Sequence, residues 1–114
     1  MHLEIKAEND QHFDVIALIG RLDNLTAAEF ADFAKREFAS GARRVLIDAS
    51  GLEYVSSAGI AELLVAGKEL AASGGSLEFA GVRKPVRSVF EIVGFPKLFK
   101  IHESRQSANA QAGE

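Results

Sequence analysis

The sequence predicts an α/β fold with a mixed, mainly parallel sheet and an antiparallel strand at its N-terminal edge. Two observations predict it. Apolar residues recur with a period of two in some segments and at helical spacing in others, and these two kinds of segment alternate along most of the chain. Helices of this length between strands imply right-handed crossovers between parallel neighbours. We therefore expect the order β-β-α-β-α-β-α-(β), in which the bracketed strand is a short one at the edge.

The first two strands are expected to form a hairpin. The run HLEIKAE alternates apolar and polar side chains, which indicates a half-exposed strand. The segment END supplies turn residues, and HFDVIALIGRL indicates a second strand with apolar residues on both faces. The apolar runs RRVLIDAS and LEFAGV predict inner strands of the parallel sheet, and LFKIH predicts the last, short strand.

Three helices are predicted between these strands. The first begins at TAAE, where Thr26 and Glu29 fit a capping box. The second follows the two serines of YVSSAGIAELL, with apolar residues three and four positions apart from Ile60 onward. The third begins with the proline of KPVRSVFEIVGFP and ends at Gly94.

Length and composition predict one domain over residues 1–102, followed by a disordered tail at 103–114. The chain has 114 residues, of which 47% are hydrophobic, and this content is enough to bury a core. The tail, ESRQSANAQAGE, contains no large apolar residue. Thirteen Lys and Arg stand against sixteen Asp and Glu, and the net charge of −3 disfavours nucleic acid or an acidic membrane as a partner.

The composition also excludes some chemistry. The chain has no cysteine, so neither a disulfide nor a thiolate metal site can form. The N-terminal MHLEIKAE lacks the apolar block of a signal peptide, and no apolar run approaches the roughly 20 residues that cross a bilayer. We therefore expect a cytoplasmic protein with no direct membrane insertion and no cofactor.

Three loops that follow parallel strands carry polar residues. These are GRLDN after the second strand, the loop ending in the serine pair after the third, and GVRKP after the fourth. Because the carboxyl ends of parallel strands share one edge of the sheet, we expect the three loops to meet there. The candidate residues at this edge are Asp23, Asn24, Ser56, Ser57, Arg83 and Lys84.

The residues at this edge do not indicate an enzyme. A nucleophilic serine needs a base within hydrogen-bond reach, and VSSAG is not the G-x-S-x-G turn. The histidines, His2, His12 and His102, fall in the first two strands and the last one, away from the three loops. Neither a metal-ligand spacing nor a phosphate-binding glycine loop occurs.

Two interpretations of the serine pair are open. Serine is a favoured N-cap, and one of the pair is expected to cap the following helix. Capping does not explain the second hydroxyl. The first turn, with Ala58 and Gly59, has neither negative charge nor bulk, so it also suits a docking partner or an added anion. Asp23 is either a turn residue or a docking residue, and Arg83 and Lys84 are either solvated cations or groups that soften an added negative charge.

Three segments together resemble a known family. They are GRLD after the second strand, VLIDASGLEYVSSAGI across the third, and VFEIVGFPKLFKI near the end. In order and spacing they are similar to the STAS domain of bacterial anti-sigma-factor antagonists, and the resemblance covers Leu3 to His102.

The resemblance implies a partner-switching mechanism. The unmodified antagonist would bind a serine-kinase anti-sigma factor, and phosphorylation by that kinase would release it. A metal-dependent serine phosphatase would then reset the protein. Matching the motif places the phosphate acceptor on Ser57 and a partner-contacting aspartate on Asp23. Ser56 to Gly59 would belong to the same partner surface, with Ser56 where many members have aspartate and Ala58 where many have a hydroxyl.

Two other functions are weighed against this one. The chain could be a STAS subunit that docks to a lipid-transport or other membrane-associated assembly without phosphorylation. It could also be an enzyme, which the absence of a base near the serines disfavours. Phosphate transfer to Ser57 distinguishes the antagonist from the transport subunit.

Overall fold

The computed structural model describes residues 2–114 and contains one five-stranded sheet. The strands lie in the order in which they occur along the chain, with β1 antiparallel to β2 and every later pair parallel. The predicted fold class is therefore confirmed. The strands are β1 (Leu3–Asn9), β2 (Asp14–Leu22), β3 (Arg44–Val55), β4 (Ser76–Ala80) and β5 (Ile101–His102). The helices are α1 (Ala27–Ala39), α2 (Ser57–Ala72), α3 (Lys84–Val93), α4 (Phe95–Leu98) and α5 (Arg105–Ala112).

One face of the sheet and helices α1 to α4 enclose the main core. Alternate side chains of each inner strand point to this face, among them Leu18 of β2 and Ile47 of β3, both fully buried. Phe79 of β4 is surrounded by three rings from the last part of the chain, with centroids 5.0 to 5.9 Å away. These aromatic contacts attach α3 and the short α4, which the sequence did not predict, to the sheet.

Strand β3 is longer than expected. The segment GLEYV, predicted as a loop, continues the strand because it pairs with the end of β2, where Gly20 lies beside Leu52 and Leu22 beside Val55. The register shifts twice along this pair, and both strands end together. As a result, α2 begins directly beside the last residue of β2.

The expectation of a disordered tail was wrong, because residues 105–112 form helix α5. Ala108 is fully buried on the second face of the sheet, against a small cluster of β-strand side chains. Arg105 anchors the helix, with Nη2 2.6 Å from Asp10 Oδ1 and further ion pairs to Glu8 and Asp48. Small residues and ion pairs hold this helix in place. The absence of large apolar side chains was therefore no evidence of disorder.

We predict that Arg105→Ala weakens the fold and that the loss depends on pH. The hydrogen bond from Arg105, against the opposing effect of burial, lowers the pKa of Asp10 below its usual value. A carboxyl group with a lowered pKa in the folded state stabilises the protein above its ordinary pKa of about 4, and this contribution is lost as the pH falls through the lowered value. The free energy of unfolding should fall by about 1–2 kcal/mol at neutral pH, and the difference should shrink below about pH 4.

Urea unfolding of the parent and the Arg105 variant, at neutral pH and below about pH 4, measures the difference in their free energies of unfolding. Lys35→Ala, which removes an exposed cation from α1, is the matched control and should stay within about 0.5 kcal/mol of the parent. Equal stability of the Arg105 variant and the parent at neutral pH would show that the ion pairs do not hold α5.

Candidate functional site

The two serines at the start of α2 have different environments. Ser56 is the N-cap, and its Oγ accepts a hydrogen bond from the Gly59 N–H at 3.2 Å. The Ser56 N–H in turn donates to the carbonyl oxygen of Leu22 at 2.9 Å. Ser57 is the first helical residue and is exposed, and its hydroxyl makes no hydrogen bond to any part of residues 2–114. The expected cap is therefore Ser56, and the second hydroxyl is free.

The first turn of α2 lies very close to the sheet at Gly59. A Cβ atom there would lie 2.7 Å from the Leu22 carbonyl oxygen and 3.0 Å from Cγ2 of Val55. Gly59 is buried, so the expectation that it belongs to the partner surface was wrong, and its role is to allow this close approach. Ala58 is half-buried, and the first turn of α2 contains no acidic residue.

The β2–α1 loop is organised by Asp23. Its Oδ1 accepts hydrogen bonds from the N–H groups of Leu25 and Thr26, at 3.0 and 3.2 Å. Desolvation acts to raise the pKa of Asp23, but these hydrogen bonds outweigh it and lower the pKa below the usual value. The carboxylate is therefore ionised at neutral pH and points at the start of α1.

The expected capping box at Thr26 and Glu29 does not form. Thr26 is the N-cap of α1 by position, but its side chain makes no capping hydrogen bond. Its hydroxyl donates to the Arg21 carbonyl oxygen at 2.8 Å and accepts from the Asp23 N–H at 2.9 Å. The Asp23 carboxylate takes the place of the predicted cap because it already accepts from the Thr26 N–H.

Two residues at the strand ends complete the site, and the sequence reasoning missed them as site residues. Arg21 and Tyr54 are register partners at the ends of β2 and β3, and the Arg21 guanidinium lies 4.1 Å from the centre of the Tyr54 ring. Arg21 Nε is also 3.5 Å from Asp23 Oδ2. The signal for this pair was an arginine and a tyrosine within the last two residues of neighbouring parallel strands.

These groups surround a shallow, open pocket of about 350 Å³. The loops after β2 and β3 meet there, as predicted. The pocket also includes the side chain of Leu25, which is 86% exposed. The residues that line it are Arg21, Asp23, Asn24, Leu25, Tyr54, Ser56 and Ser57.

Arg83 and Lys84 do not line this pocket. Arg83 is the N-cap of α3 and Lys84 is its first residue, and both are exposed. The last residue of β4, Ala80, lies beside Asp48, seven residues before the end of β3. The loop after β4 therefore leaves the sheet well before the pocket, and Arg21 is the cation that the fold places at its wall.

The residues around the pocket form a surface that another molecule can contact. The pocket is shallow and carries one ionised carboxylate, one stacked guanidinium and a free hydroxyl at a helix N-terminus. Within residues 2–114, no group of three or more His, Cys, Asp or Glu side chains has a geometry that could hold a metal ion. In the same range, no helix has the length and apolar character to cross a membrane. The fold and the site define a small α/β domain with a shallow, charged pocket and an exposed hydroxyl at the start of a helix.

Comparison with known proteins gives this class a family. Residues 5–100 match the family model described as "Mlab, STAS domain". A candidate anti-sigma factor antagonist of Bordetella bronchiseptica, BtrV, is 33% identical over 96 residues, which cover 84% of this chain and 83% of that protein. The chain belongs to the STAS-domain family of anti-sigma-factor antagonists.

Solved structures agree with this fold. An anti-sigma factor antagonist from Mycobacterium paratuberculosis superimposes with a TM-score of 0.88 at 19% identity, over 99% of this chain and 96% of that one. SpoIIAA of Bacillus in its phosphorylated form superimposes with a TM-score of 0.73 at 18% identity, over 96% of this chain and 98% of that one. At these identities the likeness is one of fold.

We predict that Gly59→Ala destabilises the domain by about 2–3 kcal/mol, because the new methyl group must displace α2 from the backbone of β2. Urea unfolding measures the change. Ser57→Ala, in the same turn but exposed, is the control and should change the free energy of unfolding by less than about 0.5 kcal/mol. Similar stabilities of the two variants would contradict the close approach at Gly59.

Proposed function

We propose that this protein is an anti-sigma factor antagonist that binds a serine-kinase anti-sigma factor through the pocket at the start of α2. The contact surface comprises Asp23 and Asn24 from the β2–α1 loop and the exposed parts of Ser56, Ser57 and Ala58. One observation carries the proposal. Ser57 presents a free hydroxyl on the first residue of a helix that is already capped, in a chain of this family.

Phosphorylation of Ser57 is the proposed release step. The Ser57 oxygen would take the terminal phosphoryl group of ATP bound to the kinase, losing its proton, and ADP would leave. A metal-dependent serine phosphatase would hydrolyse the ester and restore the hydroxyl. Exposure of Ser57 supports both steps, since each enzyme must reach the oxygen from outside.

The added charge should act on the interface and leave the fold unchanged. A phosphoserine carries about −1.5 to −2 charges, and an anion at a helix N-terminus is stabilised by about 0.3–1 kcal/mol. The first turn of α2 has no acidic residue that would oppose it. The ionised Asp23 lines the same pocket and Arg21 offsets only one charge, so the phosphate would give this surface a net negative charge towards a partner suited to the unmodified form.

We predict that Ser57→Asp keeps its stability within about 1 kcal/mol of the parent and loses at least about tenfold in affinity for the cognate serine-kinase anti-sigma factor. Isothermal titration calorimetry measures the affinity, and urea unfolding measures the stability. Ser88→Asp adds the same charge to an exposed position of α3 and should bind like the parent. Near-equal affinities of the Ser57 variant and the parent would overturn the switch.

A second prediction concerns the modification itself. Incubation with the kinase and ATP should place one phosphate on Ser57, detected by mass spectrometry of peptides, and Ser57→Ala should abolish it while Ser56→Ala should not. The Ser56 variant loses the cap of α2, so its folding is checked first by circular dichroism. No phosphate on the parent, together with binding to a transporter ATPase, would favour the transport subunit instead.

A further inference from the structure

One segment of this protein, whose residues do not line the Ser57 pocket, has a net positive charge. Residues 83–100 contain five of the thirteen Lys and Arg of the chain but one of the sixteen Asp and Glu. All five cations are exposed, and none of them pairs with a carboxylate within residues 2–114. The net charge of −3 hides this asymmetry, because the rest of the chain is acidic.

The same segment exposes an unusual amount of apolar surface. Ile92 is 84% exposed, Leu98 60% and Val93 44%. These three side chains lie within seven residues, and they are half of the six large hydrophobic residues that are exposed in residues 2–114. Scattered single exposures need no explanation, but three within seven residues of a segment rich in cations do.

The local packing keeps these side chains outside. Gly94, with φ of 84°, ends α3 and turns the chain directly into α4. The inward positions on either side of this turn are filled by Phe90 and Phe95, whose ring centroids are 4.8 Å apart in the core. Since the core space is filled, Ile92 and Leu98 have no place in it and stay exposed.

We propose that this corner binds the surface of an anionic lipid bilayer, independently of the Ser57 switch. The corner is the surface around the turn from α3 to α4, with Ile92 and Val93 at the end of α3 and Lys97, Leu98 and Lys100 shortly after it along the chain. The aliphatic side chains would enter the headgroup region, and the two ammonium groups would contact lipid phosphates. The binding is peripheral and needs no spanning segment.

A bilayer suits this corner better than an acidic protein does. Leu98 and the two lysines border a wide, shallow depression, and Ile92 stands almost clear of the protein surface at the end of α3. The soft boundary between headgroups and acyl chains accommodates protruding aliphatic side chains without a pocket shaped to fit them. Unpaired lysines nearby supply the attraction that a negatively charged surface needs.

The test is sedimentation of the full chain with two kinds of vesicle at low and high salt. One kind contains phosphatidylcholine alone, and the other contains equal parts of phosphatidylcholine and phosphatidylglycerol. The protein should sediment with the phosphatidylglycerol vesicles, and added salt should weaken the binding. Lys97→Gln with Lys100→Gln should weaken it by about tenfold, and so should Ile92→Ser with Leu98→Ser.

Matched controls distinguish binding by this corner from nonspecific binding to vesicles. Leu25→Ser removes a leucine that lines the Ser57 pocket and is about as exposed as Ile92. Lys35→Gln with Lys68→Gln removes two exposed cations elsewhere. Both should bind vesicles like the parent. Ser57→Asp should also bind like the parent, which makes the result independent of the proposed switch.

Three results would overturn the proposal. These are no binding of the parent to phosphatidylglycerol vesicles, an equal loss in the control lysine pair, or unchanged binding of the Ile92 and Leu98 variant. Circular dichroism verifies the fold of each variant, and if the double serine variant does not fold, Ile92→Ser alone replaces it. Capture of an acidic protein at this corner by a chain that binds no vesicles would assign the surface to a protein partner instead.

Discussion

The close contact between the first turn of α2 and the ends of β2 and β3 determines the rest of the site. Gly59 allows it, because any larger residue would place an atom against the Leu22 carbonyl group. The same carbonyl accepts the Ser56 N–H, so one peptide group of β2 fixes both the cap and the first turn. The Ser56 hydroxyl is turned into the first turn, where it accepts from the Gly59 N–H, and Gly59 faces the sheet, so Ser57 faces outward. The exposure of its hydroxyl is a consequence of this packing.

The electrostatics of the pocket are balanced in the unmodified protein. The Asp23 carboxylate is held in its charged form by backbone N–H groups of its own loop, and Arg21 lies between that carboxylate and the face of Tyr54. Both charges are therefore partly satisfied within the chain, which makes it less costly for a partner to cover them than to cover unpaired charges. A doubly charged group on Ser57 would find Arg21 as the one cation among the residues that line the pocket, since Arg83 and Lys84 do not line it, and Arg21 is already engaged with Asp23 and Tyr54.

Much of this could be predicted from residue patterns, and the exceptions have physical causes. Apolar periodicity located every strand and the three long helices. It also placed the serine pair at the start of α2. The stacking of Arg21 on Tyr54 depends on the register of two parallel strands, which no local pattern encodes. We expected Arg83 and Lys84 at the pocket because the segment GLEYV was predicted as a loop. It belongs to β3, so β3 ends well beyond β4. Helix α5 was not predicted because its Arg105 is held by ion pairs with acidic residues some 60 to 100 positions earlier in the chain.

The two serines have separate roles, so the start of α2 is capped and still presents a free hydroxyl. If a single serine were both cap and acceptor, a phosphate on it would replace the hydroxyl that accepts from the first turn with a charged group, and each change of state would also alter the capping and the stability of α2. Here the cap belongs to Ser56, whose Oγ is engaged with Gly59, and the neighbouring hydroxyl takes no part in holding the helix. Charge can therefore be added to Ser57 or removed from it while the hydrogen bonds of the first turn persist. The state of the surface and the stability of the domain are then separate properties, as the proposed switch requires.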